Sequence, residues 1–104
     1  MNFQIQGNPT QTGFNLKIIP RLEEETEFKK LTEIIAFLKN TFQLEVEEEV
    51  LQHVTPQYCK FKAIDGIFLV VALDDQMGLT VDCNSKRFLA NLAPLIKKAV
   101  FPND

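Results

Sequence analysis

The stretch Gly66-Ile67-Phe68-Leu69-Val70-Val71-Ala72-Leu73 decides the fold of this chain. Its seven consecutive apolar residues are too few to span a membrane and are rich in β-branched side chains, so they predict a strand that is covered on both faces. Asp65-Gly66 before it and the segment 74–78 after it are turn signals that favour an antiparallel neighbour on each side. We therefore expect a strand over residues 66–73 in the middle of a sheet.

Further strands are predicted where apolar and polar residues alternate. Two of these strands form an N-terminal hairpin around the turn-rich segment 7–13, and Pro20 ends the second. Two others flank the central strand. The residues expected to face inward are Phe3 and Ile5, then Phe14, Leu16 and Ile18, then Cys59, Phe61 and Ala63, and finally Leu79, Val81 and Cys83.

Two helices are predicted from apolar residues at helical spacing. The first begins near Glu23, with Phe28, Leu31, Ile34, Ile35, Leu38 and Phe42 on its buried face and with Glu27, Lys30, Glu33 and Lys39 on the opposite face. The second follows a cap at Asn84-Ser85 and buries Phe88, Leu92, Leu95, Ile96 and Ala99. Pro94 is expected to kink the second helix or to divide it.

The segment 43–55 fits two structures. Leu44, Val46 and Val50 have the parity of a strand, whereas Val46, Val50 and Val54 also fit a helix. A strand from Leu44 to Leu51 is preferred, because it follows directly on a long helix and because Thr55-Pro56 supplies its turn.

These elements predict a single α+β domain over residues 1–104. It is expected to be a two-layer sandwich with a mainly antiparallel sheet of five to six strands and two helices on one face. The predicted order is β-β-α-β-β-β-β-α.

Composition and charge narrow the function. The net charge of −3 argues against nucleic-acid binding. Residues 1–52 carry nine Glu against five Lys and Arg, so this acidic half is expected to meet any basic partner. No signal-peptide pattern or membrane span is seen, and two cysteines without CxxC spacing suggest free thiols in the cytoplasm.

The carboxylate run in segment 43–55 is the first candidate site. It consists of Glu45, Glu47, Glu48 and Glu49. Such a run most often forms a solvated face or an edge strand protected by charge. As a functional surface it would dock a basic protein partner, as inhibitors and immunity proteins do when they mask a cationic active site.

Two other groups are weaker candidates. Ser85, Lys86 and Arg87 start the second predicted helix, where free N–H groups attract a phosphate or carboxylate, although a solvated pair of surface cations is the more ordinary interpretation. Asp74 and Asp75 could approach Asp82 and bind a hard cation, although short acidic residues are also simply favoured in turns. We predict no resident metal and no cofactor.

A thiolate nucleophile would require Cys59 or Cys83 with His53, which is the only histidine. Both cysteines have the inward parity of their strands, where a thiol is inert. The sequence therefore favours a non-catalytic cytoplasmic domain that binds a protein or regulates one. The alternatives are a small enzyme or ligand-binding domain that uses the aspartates or the helix start, and a homodimer that pairs through an edge strand.

Overall fold

The computed structural model describes residues 1–8, 13–52 and 56–103, which form one six-stranded antiparallel sheet and two helices. The strands are β1 (Asn2–Asn8), β2 (Gly13–Ile19), β3 (Val46–Val50), β4 (Gln57–Phe61), β5 (Leu69–Asp74) and β6 (Gly78–Cys83). The helices are α1 (Glu24–Phe42) and α2 (Lys86–Val100). The predicted α+β two-layer architecture and its element order are confirmed.

The sheet has the order β1-β2-β6-β5-β4-β3. The mid-sheet position of β5 is therefore confirmed, because β5 pairs with β6 on one side and with β4 on the other. It begins at Leu69 rather than at the predicted Gly66. The predicted turn explains the difference, since Asp65 and Gly66 have φ angles of 53° and 79° and Ile64 pairs with Ile67 across them.

Only one face of β5 is fully covered. Leu69, Val71 and Leu73 are buried, whereas Val70 is half-buried and Phe68, just before the strand, is 51% exposed. The prediction that both faces are covered is wrong, because α1 and α2 both pack on the face that carries the buried side chains. A run of apolar residues does not by itself show on which side the helices pack.

The α1 stripe is confirmed for its central residues. Leu31, Ile34, Ile35 and Leu38 are buried, but so is Glu27, which was expected on the opposite face. Glu27 lies four residues before Leu31 and seven before Ile34, so helical periodicity places its carboxylate on the buried stripe.

No helix among the described residues is long and apolar enough to cross a membrane.

The second helix is also confirmed, but its predicted buried face is partly wrong: Leu95 and Ala99 are exposed, whereas Leu89 and Val100 are buried. A second correction concerns Pro94. Ser85 is its N-cap, and the Ser85 Oγ accepts a hydrogen bond from the Phe88 N–H at 3.2 Å. The predicted division at Pro94 is wrong, because α2 continues through this residue. Leu92 and Ile96 are buried on either side of it and hold both parts of the helix on the sheet.

The ambiguous segment contains an edge strand. β3 pairs with β4 alone, and its register shifts between Val46 and Glu48. The preferred interpretation as a strand is therefore confirmed, and the helical alternative is wrong for residues 46–50. The expected turn at Thr55 falls in segment 53–55, which lies outside the described residues. Ala63 was expected to face inward but is exposed, because β4 ends at Phe61.

Candidate functional site

An acidic cleft lies where the first turn of α1 meets the end of β5 and the start of β4. Its volume is about 610 Å³, which is within the range of small-ligand sites. The residues that line the acidic cleft are Arg21, Leu22, Glu24, Glu25, Glu27, Phe28, Gln57, Leu73, Asp74 and Asp75. Five carboxylates therefore surround one guanidinium.

A partly buried ion pair between Arg21 and Glu27 lies in this cleft. Glu27 is only 4% exposed, and its two carboxylate oxygens accept hydrogen bonds from Arg21 Nη2 at 3.0 Å and Arg21 Nε at 3.3 Å. Arg21 Nη1 also donates to the carbonyl oxygen of Asp75 at 2.6 Å. The Arg21 guanidinium thus ties α1 to the turn between β5 and β6, and the Glu27 carboxylate raises its pKa through the hydrogen bond.

Gly78 leaves space for this ion pair. A Cβ atom on Gly78 would lie 2.8 Å from Arg21 Nε and 3.1 Å from Glu27 Oε2. Gly78 also has a φ of 73°, a conformation that other residues rarely adopt. A glycine that ends the β5–β6 turn therefore also lets the Arg21 guanidinium approach the backbone.

Local structure accounts for the positions of three of the other carboxylates in the cleft. Glu24 and Glu25 stand in the first turn of α1, where the helix dipole favours negative charge. Asp74 Oδ1 accepts hydrogen bonds from the N–H groups of Gln76 and Met77 and so shapes the turn. No ion pair to Glu24, Glu25, Asp74 or Asp75 is formed within the described residues. Asp74 and Asp75 interact with the nearby Arg21 guanidinium only through longer-range attraction, so the cleft keeps an excess of negative charge.

Gln57 is the feature of the cleft that the fold does not explain. It is the first residue of β4 and is only 4% exposed. Its carboxamide oxygen is buried and has no hydrogen-bond partner among the described residues. Leaving such an acceptor unsatisfied costs about 1–3 kcal/mol.

The glutamates of the predicted docking run are paired within the chain. Lys62 contacts Glu45 at 3.1 Å, Lys60 contacts Glu47 at 3.6 Å and Lys39 contacts Glu49 at 3.6 Å. Glu48 accepts a hydrogen bond of 2.6 Å from the Tyr58 hydroxyl. The negative charge on β3 is thus largely balanced by its neighbours, which fits a protected edge strand.

At the predicted anion site at the start of α2, only two of the three residues have side chains that are free to bind an anion. The Ser85 hydroxyl is used as the α2 cap, while Lys86 and Arg87 are exposed in the first turn and form no ion pair within the described residues. The neighbouring Asn84 accepts a hydrogen bond from the Phe68 N–H and donates one to the Gly66 carbonyl. Asn84 therefore holds the Asp65-Gly66 turn rather than a ligand.

The three aspartates do not form one cluster. Asp74 and Asp75 line the cleft, whereas Asp82 lies opposite Asn15 and Val70 on the sheet face away from the helices. Within the described residues there is no group of three or more acidic, histidine or cysteine side chains placed to hold a metal ion. The structure therefore separates the residues of the suggested cation site.

Both thiols are buried away from the cleft. Burial raises the pKa of Cys59 to about 11 and also raises the pKa of Cys83. Each side chain is therefore a protonated thiol at neutral pH, which is a poor nucleophile. His53 lies outside the described residues.

No family model, curated protein or solved structure matches the chain.

Asp82 is a second group with an unusual environment. Burial raises its pKa to about 6, a hydrogen bond from Thr80 lowers it and the Asp74 carboxylate raises it. Its Oδ1 atom is buried and has no hydrogen-bond partner among the described residues. The folded chain therefore binds a proton at Asp82 more readily than the unfolded chain does.

We expect Asp82→Asn to stabilise the protein at neutral pH by about 1–2 kcal/mol, a value reduced for the partial exposure of the side chain. The folded pKa lies above the ordinary value of 3.8, so the wild-type free energy of unfolding should fall as pH rises from about 4 to 6. Urea denaturation at a series of pH values measures this. The variant should show a flatter profile, and a wild-type stability that rises over this interval with no change in the variant would contradict the assignment.

Proposed function

We propose that this chain is a non-catalytic cytoplasmic binding domain that recognises a basic segment of a partner protein. The acidic cleft would accept a lysine or arginine side chain of that partner. The buried, unpartnered carboxamide oxygen of Gln57 carries the proposal, because it lacks an N–H donor beside a cleft whose charges attract a cation. It becomes accessible to a ligand when the Gln57 side chain turns toward the cleft.

The charges support a cationic ligand. Glu27 is neutralised by Arg21, which leaves Glu24, Glu25, Asp74 and Asp75 to set the potential of the cleft. The helix dipole favours the charges of Glu24 and Glu25, and hydrogen bonds in the turn hold Asp74, so the cleft keeps its negative charge without a bound cation.

The oxygen acceptors in the cleft suit a nitrogen cation better than a metal ion. The cleft offers an amide oxygen and separated carboxylates, and the described residues provide no compact set of metal ligands. An ammonium group donates three hydrogen bonds and a guanidinium five, so either can satisfy Gln57 and a carboxylate together. The buried, protonated thiols of Cys59 and Cys83 support the cytoplasmic assignment.

Gln57→Leu is expected to move stability and binding in opposite directions. Removal of an unsatisfied buried acceptor should raise the free energy of unfolding by about 1 kcal/mol. Loss of the proposed hydrogen bond should weaken binding of a fluorescein-labelled lysine-rich peptide about 5–10-fold in fluorescence anisotropy. A loss of binding with a gain in stability cannot arise from unfolding.

Two comparisons complete this experiment. The same peptide with acetylated lysines should not bind, and high salt should weaken binding of the unmodified peptide. Glu47→Gln with Glu48→Gln on β3 serves as the control and should leave the affinity unchanged. Equal affinity of Gln57→Leu and the wild type, or loss of binding in the β3 control alone, would reject the cleft as the docking site.

A further inference from the structure

The two edges of the sheet differ in their protection. At one edge, β3 carries a register shift and a row of glutamates that are paired with Lys39, Lys60 and Lys62. Charges and irregular register are the usual means by which a protein prevents another strand from pairing at an edge. The β3 edge is therefore closed to strand addition.

The β1 edge has neither of these features. Its seven residues, Asn-Phe-Gln-Ile-Gln-Gly-Asn, include no charged residue and no proline. They pair with β2 in unbroken register from Asn2↔Ile19 to Asn8↔Gly13. Among the described residues, no other strand lies beside β1 and no other segment forms a backbone hydrogen bond to it. A regular, uncharged edge of this length is open to pairing.

The alternation along β1 shows which kind of strand fits it. Phe3 and Ile5 are half-buried on the helix side, where the Phe3 ring lies edge-on to Phe101 at 5.5 Å between centroids. Gln4 and Gln6 are exposed on the opposite face. A strand that pairs here should carry apolar residues on the helix side and amides on the other. β1 itself has this pattern.

We infer that β1 pairs antiparallel with β1 of a second copy of this chain. A two-fold axis perpendicular to the sheet keeps each face of both copies on the same side. If the axis is centred on residue 4, Phe3 lies opposite Ile5 of the other copy and Gln4 opposite Gln4; if it is centred on residue 5, Ile5 lies opposite Ile5 and Gln4 opposite Gln6. In either register no like charges oppose each other within the strand. The two sheets become one twelve-stranded sheet that carries all four helices on one side.

The test adds negative charge to this edge without harming the monomer. Gln4→Glu with Gln6→Glu places carboxylates opposite each other across the two-fold axis whether the pairing is centred on residue 4 or on residue 5. Within the monomer, Gln4 lies opposite Lys17 on β2, so the new carboxylate gains a favourable neighbour. The matched control, Gln52→Glu with Gln76→Glu, adds the same charge at exposed positions outside the strands.

Sedimentation velocity of the full chain over a series of concentrations measures the dimer. The wild type and the control should associate with the same dissociation constant, and the edge variant should associate at least about 10-fold more weakly, as expected for opposed like charges at a strand pair. Circular dichroism of the edge variant should match the wild type. A monomeric wild type at all concentrations, or an edge variant that dimerises as tightly as the control, would overturn the inference.

Discussion

Leu69→Ala is expected to lower the free energy of unfolding by about 2–5 kcal/mol, as buried leucines do when they are truncated. Leu69 is 4% exposed at the start of β5. Its side chain packs in the layer between the sheet and the helices, so the deletion leaves a cavity. Urea denaturation followed by circular dichroism measures the loss.

Two neighbouring valines provide the matched control. Val71 is fully buried on the helix side, whereas Val70 is half-buried on the opposite face. Val71→Ala should cost about 2 kcal/mol, since it loses two buried methyl groups and leaves a cavity. Val70→Ala should cost clearly less. Equal losses for the two valines would show that something covers the outer face of the sheet.

Arg21→Ala is the second substitution with a large expected effect, a loss of about 2–3 kcal/mol. The Glu27 side chain is 5% exposed, so the variant leaves a buried carboxylate without its counter-ion. Removal of one partner of a buried pair typically costs about 3–5 kcal/mol, and we lower this range because the Arg21 side chain is 45% exposed. The Asp75 carbonyl also loses its donor.

Glu27→Gln identifies the cause of the Arg21→Ala loss. The amide removes the buried charge and keeps the shape of the side chain. The double variant, Arg21→Ala with Glu27→Gln, should therefore be more stable than Arg21→Ala alone in thermal denaturation. If the double variant is less stable than Arg21→Ala, the loss comes from packing of the arginine stem and not from an unpaired carboxylate.

Local periodicity was sufficient to predict most elements of the fold. The alternation at Leu79, Val81 and Cys83 and the stripe from Leu31 to Leu38 were correct because each follows from the spacing of one element. The coverage of β5 was not correct, because it depends on where two distant helices pack. Glu27 is buried although it is charged, because its position on the apolar stripe brings it to Arg21, a partner that the spacing of α1 alone does not show.

The candidate site was only partly predictable for the same reason. Asp74 and Asp75 were identified as candidates, and both line the cleft. Arg21 and Gln57 were not, because only the tertiary fold brings the start of β4 beside the residues that precede α1. The ion pairs of Glu45 and Glu47 could not be predicted either, because they depend on the strand register that places Lys62 and Lys60 nearby.

The hydrogen bond between Tyr58 and Glu48 gives the protein a single optical reporter. The chain contains no Trp and one Tyr, so its intrinsic emission comes from one phenol, whose hydroxyl donates to a carboxylate on the neighbouring strand at 2.6 Å. Separation of β3 from β4 removes that acceptor and changes the emission intensity. Near-ultraviolet excitation can therefore follow fraying of this edge separately from the melting of the helices, without any attached dye.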